Sequence, residues 1–342
     1  MSEHAAVDYL LAHAGPSIRY RLRREVLAEP TDSPGMAALQ QEILADERIK
    51  AQLALRQPDG WLGGTFHGWN EPESAVRYLT ELGVEGSHPV IRGALDALTA
   101  RGDRFDDGSL ARVGKWLDAA GVGGSRMILA CVFAYAGAED APVVAEQIPE
   151  ALAGFAFAAG VGGMEKVCRP HRDGKLVFRD GVHWPSIYHL RLLALTRGWR
   201  TAENLATVAA AVQRLTALSP LPPIKLLHGS QVVGPAAIYM NDFASTPENL
   251  TPAEWMQWFH RTELLARLGI AGRSPAVARQ LAWLRGELDA HEGLFTRPLS
   301  HPYFTKWSQY MGLALEPDWK RRDARVCDLT FRSVLMLHHG AR

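Results

Sequence analysis

The strongest constraint in this 342-residue sequence is a repeated way of ending a helix. Five apolar stretches with i, i+3, i+4 spacing close on a glycine: AVRYLTELG at Gly83, LACVFAYAG at Gly137, LRLLALTRG at Gly198, ELLARLG at Gly269 and VLMLHHG at Gly340. That pattern predicts a buried helix with a left-handed C-terminal cap. After Gly83, Gly137 and Gly269 a second helix is signalled by Pro89-Val90, Pro142-Val143 or Pro275-Ala276-Val277. Proline suits a first helical turn, where its missing N–H costs nothing. The segment after Gly198 keeps the helix and drops the proline. The chain therefore reads as a series of antiparallel helix pairs.

The terminal glycines lie 54, 61, 71 and 71 residues apart (83, 137, 198, 269, 340). Common helical solenoids repeat every 33–47 residues or so, which is shorter and more regular. Inserted turns, or a further short helix within Pro220–Ala244, would account for the excess. Counting a pair in the first 56 residues, about six pairs are expected. Asn70-Glu-Pro-Glu73 and Thr251-Pro-Ala-Glu254 have capping-box spacing. Asp59-Gly60, Asp107-Gly108, Asp173-Gly174 and Asp180-Gly181 read as turns, and strand signals are few. Arg172–Gly181 reads as a short hairpin or flap. The expected fold is all-α, with residues 1–56 as an N-terminal helical extension and residues 57–342 as one helical-repeat unit.

The segment LALRQPDGWLGG (Leu53–Gly64) resembles the glutamine–glycine–tryptophan turn of the terpenoid cyclases and protein prenyltransferases, with Gln57, Gly60 and Trp61 closer together than in that pattern. The resemblance implies an α/α toroid, in which inner helices ring a cavity and outer helices pack around them. It also implies roles for the turn: Gln57 bonding a helix start, Gly60 allowing the sharp bend, Trp61 stacking between pairs. The chain departs from the family at its chemistry. It has no Asp-x-Asp-Asp acid; its nearest acidic cluster, Asp103-Arg-Phe-Asp106-Asp107, reads as a solvated loop. A prenyltransferase zinc site would need Asp, Cys and His near Cys327-Asp328 and His338 or His339, but the Asp-x-Cys order is absent.

Other chemistries are excluded by composition and motif. Lys+Arg and Asp+Glu number 37 each, a formal charge of zero, and no basic stripe marks a nucleic-acid surface. Three scattered cysteines make no disulfide framework. The apolar runs are too short to span a bilayer, and an acidic start without a basic region predicts no secretory signal, so a cytoplasmic protein is expected. No phosphate loop, dinucleotide fingerprint or nucleophile elbow is present, and no cofactor or bound metal is expected. Cys168-Arg-Pro-His171 has a chelating spacing but no second pair at a finger-like distance.

In a toroid the helix starts bound the cavity, and there aromatic residues recur beside His, Arg or an acid. His67, Glu71, His183, His189, His260 and Asp328 are the candidate acid/base residues. Trp69, Arg126, Trp184, Tyr188, Trp258 and Arg332 are the candidate substrate-binding residues, the tryptophan faces serving a developing cation. Glu73 is expected in the capping box, leaving Glu71 free, while Asp328 and Arg332, four residues apart, are expected either to pair or to anchor a polar substrate group. The leading expectation is an enzyme acting on a small apolar, isoprenoid-like or polycyclic molecule by acid/base chemistry in an aromatic-lined cavity. A glycan-processing α/α barrel would instead use two carboxylates such as Glu71 and Asp328. A non-catalytic scaffold would leave the first and last pairs apart.

Overall fold

The computed structural model describes residues 2–106, 108–111, 113–237 and 239–342, with the side chains of Ser2, Asp103 and Asp106 also outside that description. The acidic cluster at Asp103–Asp107 therefore lies, in its side chains, outside the described residues. The chain opens with α1 (Ser2–His13), α2 (Pro16–Arg21), a π-helical turn (Leu22–Val26), α3 (Pro34–Leu44) and α4 (Glu47–Leu53). It continues with α5 (Pro72–Glu81), α6 (Pro89–Ala100), α7 (Gly114–Ala119), α8 (Ser125–Tyr135), α9 (Pro142–Gly160) and α10 (Met164–Val167). Then come α11 (Ile187–Leu195), α12 (Ala202–Leu218), α13 (Pro252–Arg267), α14 (Pro275–Asp289), α15 (Pro302–Thr305) and α16 (Arg322–Gly340).

Local chemistry sets many of these boundaries. Proline occupies the first turn of α5, α6, α9, α13 and α14. The Thr251–Glu254 capping box forms at α13, satisfying helix-start donors reciprocally. The one read at Asn70–Glu73 does not form: Glu71 is the N-cap residue of α5, and Glu73 points inward. Three of the five terminal glycines take the left-handed conformation, Gly83, Gly137 and Gly269 (φ +94°, +73° and +74°). The other two do not cap. α11 stops at Leu195, before Gly198, and α16 runs through Gly340.

Two series of contacts organise the helices. In the first, α5 packs on α8, α8 on α11, α11 on α13, and α13 on α16, which packs on α2 and the π-helical turn. Arg21 then reaches Glu81 of α5 at 2.7 Å, and Arg332 of α16 reaches the same carboxylate at 3.0 Å. The first and last members of this series thus touch. In the second, α9 packs on α12, α12 on α14, and α14 on α1.

The fold is mostly helical and carries a four-stranded sheet that the sequence pattern did not predict. β1 (Cys168–Pro170) and β2 (Leu176–Phe178) form an antiparallel hairpin that turns at Asp173-Gly174, so the hairpin starts before the Arg172–Gly181 segment read as one and ends short of Asp180-Gly181. β3 (Ile224–His228) pairs parallel with β2 and antiparallel with β4 (Gln231–Val233). The segment read as a possible short helix is therefore a hairpin. Its turn is Gly229-Ser230, with Gly229 at φ +58°, rather than Asn-Gly or Asp-Gly.

At the Leu53–Gly64 turn the Gln57 amide donates to the Gly63 carbonyl rather than to a helix start. Trp61 is fully buried, with the Arg104 guanidinium 4.4 Å from its ring centroid. Gly60 has φ +91°, and a methyl group there would stand 2.6 Å from the Gly93 carbonyl oxygen. Gly137, at φ +73°, has nothing within 4 Å of the same position. Gly137→Ala should cost about 1 kcal/mol of unfolding free energy from backbone strain alone, and Gly60→Ala about 2–4 kcal/mol because a carbonyl must also move. Guanidinium unfolding measures both; equal losses would mean that the close approach at Gly60 does not matter.

Candidate functional site

The C-terminal turns of α5, α8, α11 and α13 and the π-helical turn enclose a cavity of about 230 Å³. Its polar lining comprises Arg21, Arg24, Glu25, Arg77, Glu81, Tyr135, Arg191, His260, Glu263 and Arg267. The sequence placed an aromatic cavity at the helix starts, whereas this one is charged and lies at the helix ends. The tryptophans are elsewhere. Trp258 is fully buried against Trp255, Trp283 and Phe259, and Trp69 is 41% exposed, edge-on to Tyr78. Trp184 lines a separate apolar hollow with Phe178, Leu221 and Met240.

Three carboxylates and three guanidiniums form one buried network along the cavity wall. Arg21 bonds Glu25 and Glu81, both at 2.7 Å. Arg332 bonds Glu81 at 3.0 Å and Glu263 at 2.9 Å, and Arg267 bonds Glu263 at 2.9 Å and Glu25 at 2.7 Å. Burial alone would raise the pKa of the Glu25 carboxyl, but Arg21 and Arg267 outweigh it and hold it well below the ordinary value. Glu81 and Glu263 are likewise held low against burial, chiefly by Arg332. The anticipated Asp328–Arg332 pair does not form. Arg332 serves this network and the Leu313 carbonyl (2.8 Å) instead.

Two further arginines of the lining have no carboxylate partner. Arg77 donates to the carbonyls of Ser308, Met311 and Gly312 (3.0, 3.3 and 3.1 Å). Arg191 donates to the Gln309 carbonyl at 2.9 Å and to His260 Nε2 at 3.3 Å. Burial, with Arg191 and Arg77 beside it, holds the His260 pKa well below the usual imidazole value, so His260 is neutral. The Arg191 Nε and the Tyr135 hydroxyl are buried with no hydrogen-bond partner among the described residues.

A second polar cluster lies at the opposite ends of the same helices. Glu73, in the first turn of α5, accepts from the Tyr188 hydroxyl of α11 at 2.6 Å and from Nδ1 of His67. These helices both pack on α8, so the contact bridges the space between them. The Tyr310 ring lies 6.0 Å from His67 and 6.2 Å from Tyr188. Burial would lower the His67 pKa, but the Glu73 charge and hydrogen bond outweigh it and raise the pKa above the usual value.

The remaining candidates are dispersed. Glu71 accepts from the Gly64 N–H at 2.7 Å. Asp328 accepts from Leu315 N, Glu316 N and Trp319 Nε1 (2.7, 3.0 and 2.6 Å), and burial pushes its pKa up to about 6. His183 is exposed, and Arg126 pairs on the surface with Glu146. His189 closes a capping box on Ser186, and burial with His183 pushes its pKa down to about 3. Cys168 donates to the Met164 carbonyl, while His171 bonds Asp173. Among the described residues no group of three or more His, Cys, Asp or Glu is placed to hold a metal ion.

Sequence reasoning missed Arg21, Glu25, Arg77, Glu81, Tyr135, Arg191, Glu263 and Arg267. Their signal was a charge inside an otherwise apolar helix: Arg77 and Glu81 in AVRYLTELG, Arg191 in LRLLALTRG, Glu263 and Arg267 in ELLARLG. Compared with known protein families, with curated proteins and with solved structures, the chain matches none.

Two stability measurements check this geometry. Arg332→Leu leaves two buried carboxylates short of a partner and should cost about 3–5 kcal/mol in denaturant unfolding; a loss below about 1 kcal/mol would show that the network carries little. His189 is held neutral when folded, so the unfolded chain binds the proton first as pH falls below about 6.5. Its contribution to stability should fall by about 2 kcal/mol between pH 6.5 and 5, and His189→Gln should flatten that part of the stability–pH curve.

Proposed function

We propose that the chain closes as an α/α toroid and is a small-molecule enzyme that uses acid/base chemistry in its interior. Support for the ring comes from the helix series whose ends meet at Glu81. The glutamine–glycine–tryptophan turn of the cyclase-like architectures points the same way. The observation that carries the enzymatic reading is the buried His67–Glu73–Tyr188 cluster, gathered from the loop before α5, from α5 itself and from α11.

The chemistry follows from hydrogen-bonding roles. The Glu73 carboxylate accepts from Nδ1–H of His67, fixing the neutral ring as the Nδ1–H tautomer and leaving the Nε2 lone pair to take a proton. Once protonated, the imidazolium is stabilised by the same carboxylate, so His67 can serve as base and then as acid. Tyr188 occupies the other Glu73 oxygen and holds it in place. The charged cavity favours a polar substrate over an apolar isoprenoid-like one. A glycan-processing reading gains no support, because Glu71 and Asp328 are each tied to backbone N–H groups.

Native mass spectrometry of the chain with a metabolite extract identifies a retained molecule, whose turnover is then followed. His67→Ala and Glu73→Gln should each lower turnover by roughly a hundredfold or more, with folding intact by circular dichroism. Full turnover in both variants would sink the reading. The His67 ring should titrate above 6.5 by NMR and fall below that value in Glu73→Gln. Because its folded pKa is raised, the stability the pair contributes is fully present below pH 6.5 and is lost as pH rises through the folded value.

A further inference from the structure

We propose that the central cavity binds a small oxyanion, a carboxylate or a phosphate, between Arg77 and Arg191, with the Tyr135 hydroxyl as a further donor. This deepens the enzymatic reading by giving the substrate an acidic group, although it stands or falls on binding alone. The charge balance comes first. Arg21, Arg267 and Arg332 are each matched by carboxylates within 3.0 Å, and three glutamates satisfy three arginines. Arg77 and Arg191, each 1% exposed, bond carbonyl oxygens and, for Arg191, a neutral imidazole, and lie over the Trp307 and Tyr188 rings (5.3 and 5.5 Å), with no carboxylate paired to either among the described residues. Carbonyls fill hydrogen-bonding directions but supply no negative charge, and a buried cation without one is costly.

Unused donors point the same way. Arg191 keeps an unpartnered Nε–H, and the buried Tyr135 hydroxyl has no partner in the same cavity. Buried donors in folded proteins are nearly always satisfied, so two orphans in one cavity mark a place that a ligand would fill. A guanidinium edge and a phenol offer donors only to an acceptor, and the cationic surroundings select an acceptor that is charged. Both arginines lie within their helices rather than in the terminal turns that side chains cap, so capping does not account for them.

The approach to the cavity carries the same sign. An adjoining hollow of about 320 Å³ shares Leu195 and Arg267 with it and adds Arg197, Arg200 and Arg342, with no Asp or Glu side chain among the described residues of its lining, while burial holds the pKa of His339 there below the usual value. Such a surface concentrates anions at the entrance. With about 230 Å³ inside, the ligand is small.

Isothermal titration calorimetry in low-chloride buffer tests the proposal with two separate probes, sodium phosphate and sodium succinate, on the full chain. Wild type should bind at least one. Phosphate alone identifies a phosphate-bearing substrate, and succinate alone a carboxylate. Arg191→Gln should weaken binding roughly ten- to hundredfold and Tyr135→Phe roughly three- to tenfold. Tyr135→Phe removes an unpartnered hydroxyl, so its unliganded melting temperature should be unchanged or higher; it decides the matter alone if Arg191→Gln does not fold. No binding of either probe to wild type overturns the proposal, as does binding that both variants leave intact. Glu73→Gln separates the two readings: if it keeps both anion binding and turnover, the acid/base assignment fails and the anion site stands.

Discussion

The contact on which the rest of the structure depends is the carboxylate of Glu81. It receives Arg21 from the N-terminal segment and Arg332 from the last helix, joining residues more than 250 positions apart at the end of α5. Through Arg332 the link runs on to Glu263, then to Arg267, and through Glu25 back to Arg21. Buried ion pairs add little net stability relative to well-packed apolar side chains, because desolvation offsets their attraction. What they add is selectivity. An alternative arrangement that separates any two of these elements leaves a buried charge alone, and that penalty is far larger than the loss of an apolar contact. The network thus favours one way of bringing the ends of the series together.

That selectivity changes the standing of the first 56 residues. Sequence patterning reads them as an N-terminal helical extension. Yet Arg21, the last residue of α2, and Arg24 and Glu25 of the π-helical turn line the cavity, and the Gly15 N–H donates to Glu316 at 2.6 Å. A π-turn has wider backbone spacing than an α-helix and is common at functional sites. Here it follows Arg21 directly and adds Arg24 and Glu25 to the same wall.

The helices were legible because apolar periodicity and terminal glycine are local signals, and three of the five glycines cap as read. The parallel pairing of β2 with β3 was not legible, since it joins Leu176 to Ile224 across an intervening helix pair and leaves no short-range mark. At the candidate site, His67, Tyr188 and His260 lie in polar clusters because they follow the helix starts or inner faces where the cavity was sought. Asp328 and Trp258 do not, for a physical reason: a carboxylate beside apolar residues is equally good at collecting backbone N–H groups, and an indole at a helix start is equally good as core. An arginine within an apolar helix must find buried partners, and that requirement was visible in the sequence all along.

The separation of the two clusters has a simple electrostatic origin. α5, α8, α11 and α13 all direct their C-terminal turns at the same cavity, so their partial negative charges gather there and their positive N-terminal ends gather at the other side. Arg267, in the last turn of α13, is stabilised at the first end, and a carboxylate such as Glu73, in the first turn of α5, at the second. A chain with equal numbers of acidic and basic residues can therefore carry a cationic entrance and an anionic anchor for a histidine in one interior. Net charge, which set nucleic acid aside, says nothing of this internal division. Helix direction does, because it sets the sign of the partial charge that each end of a helix presents.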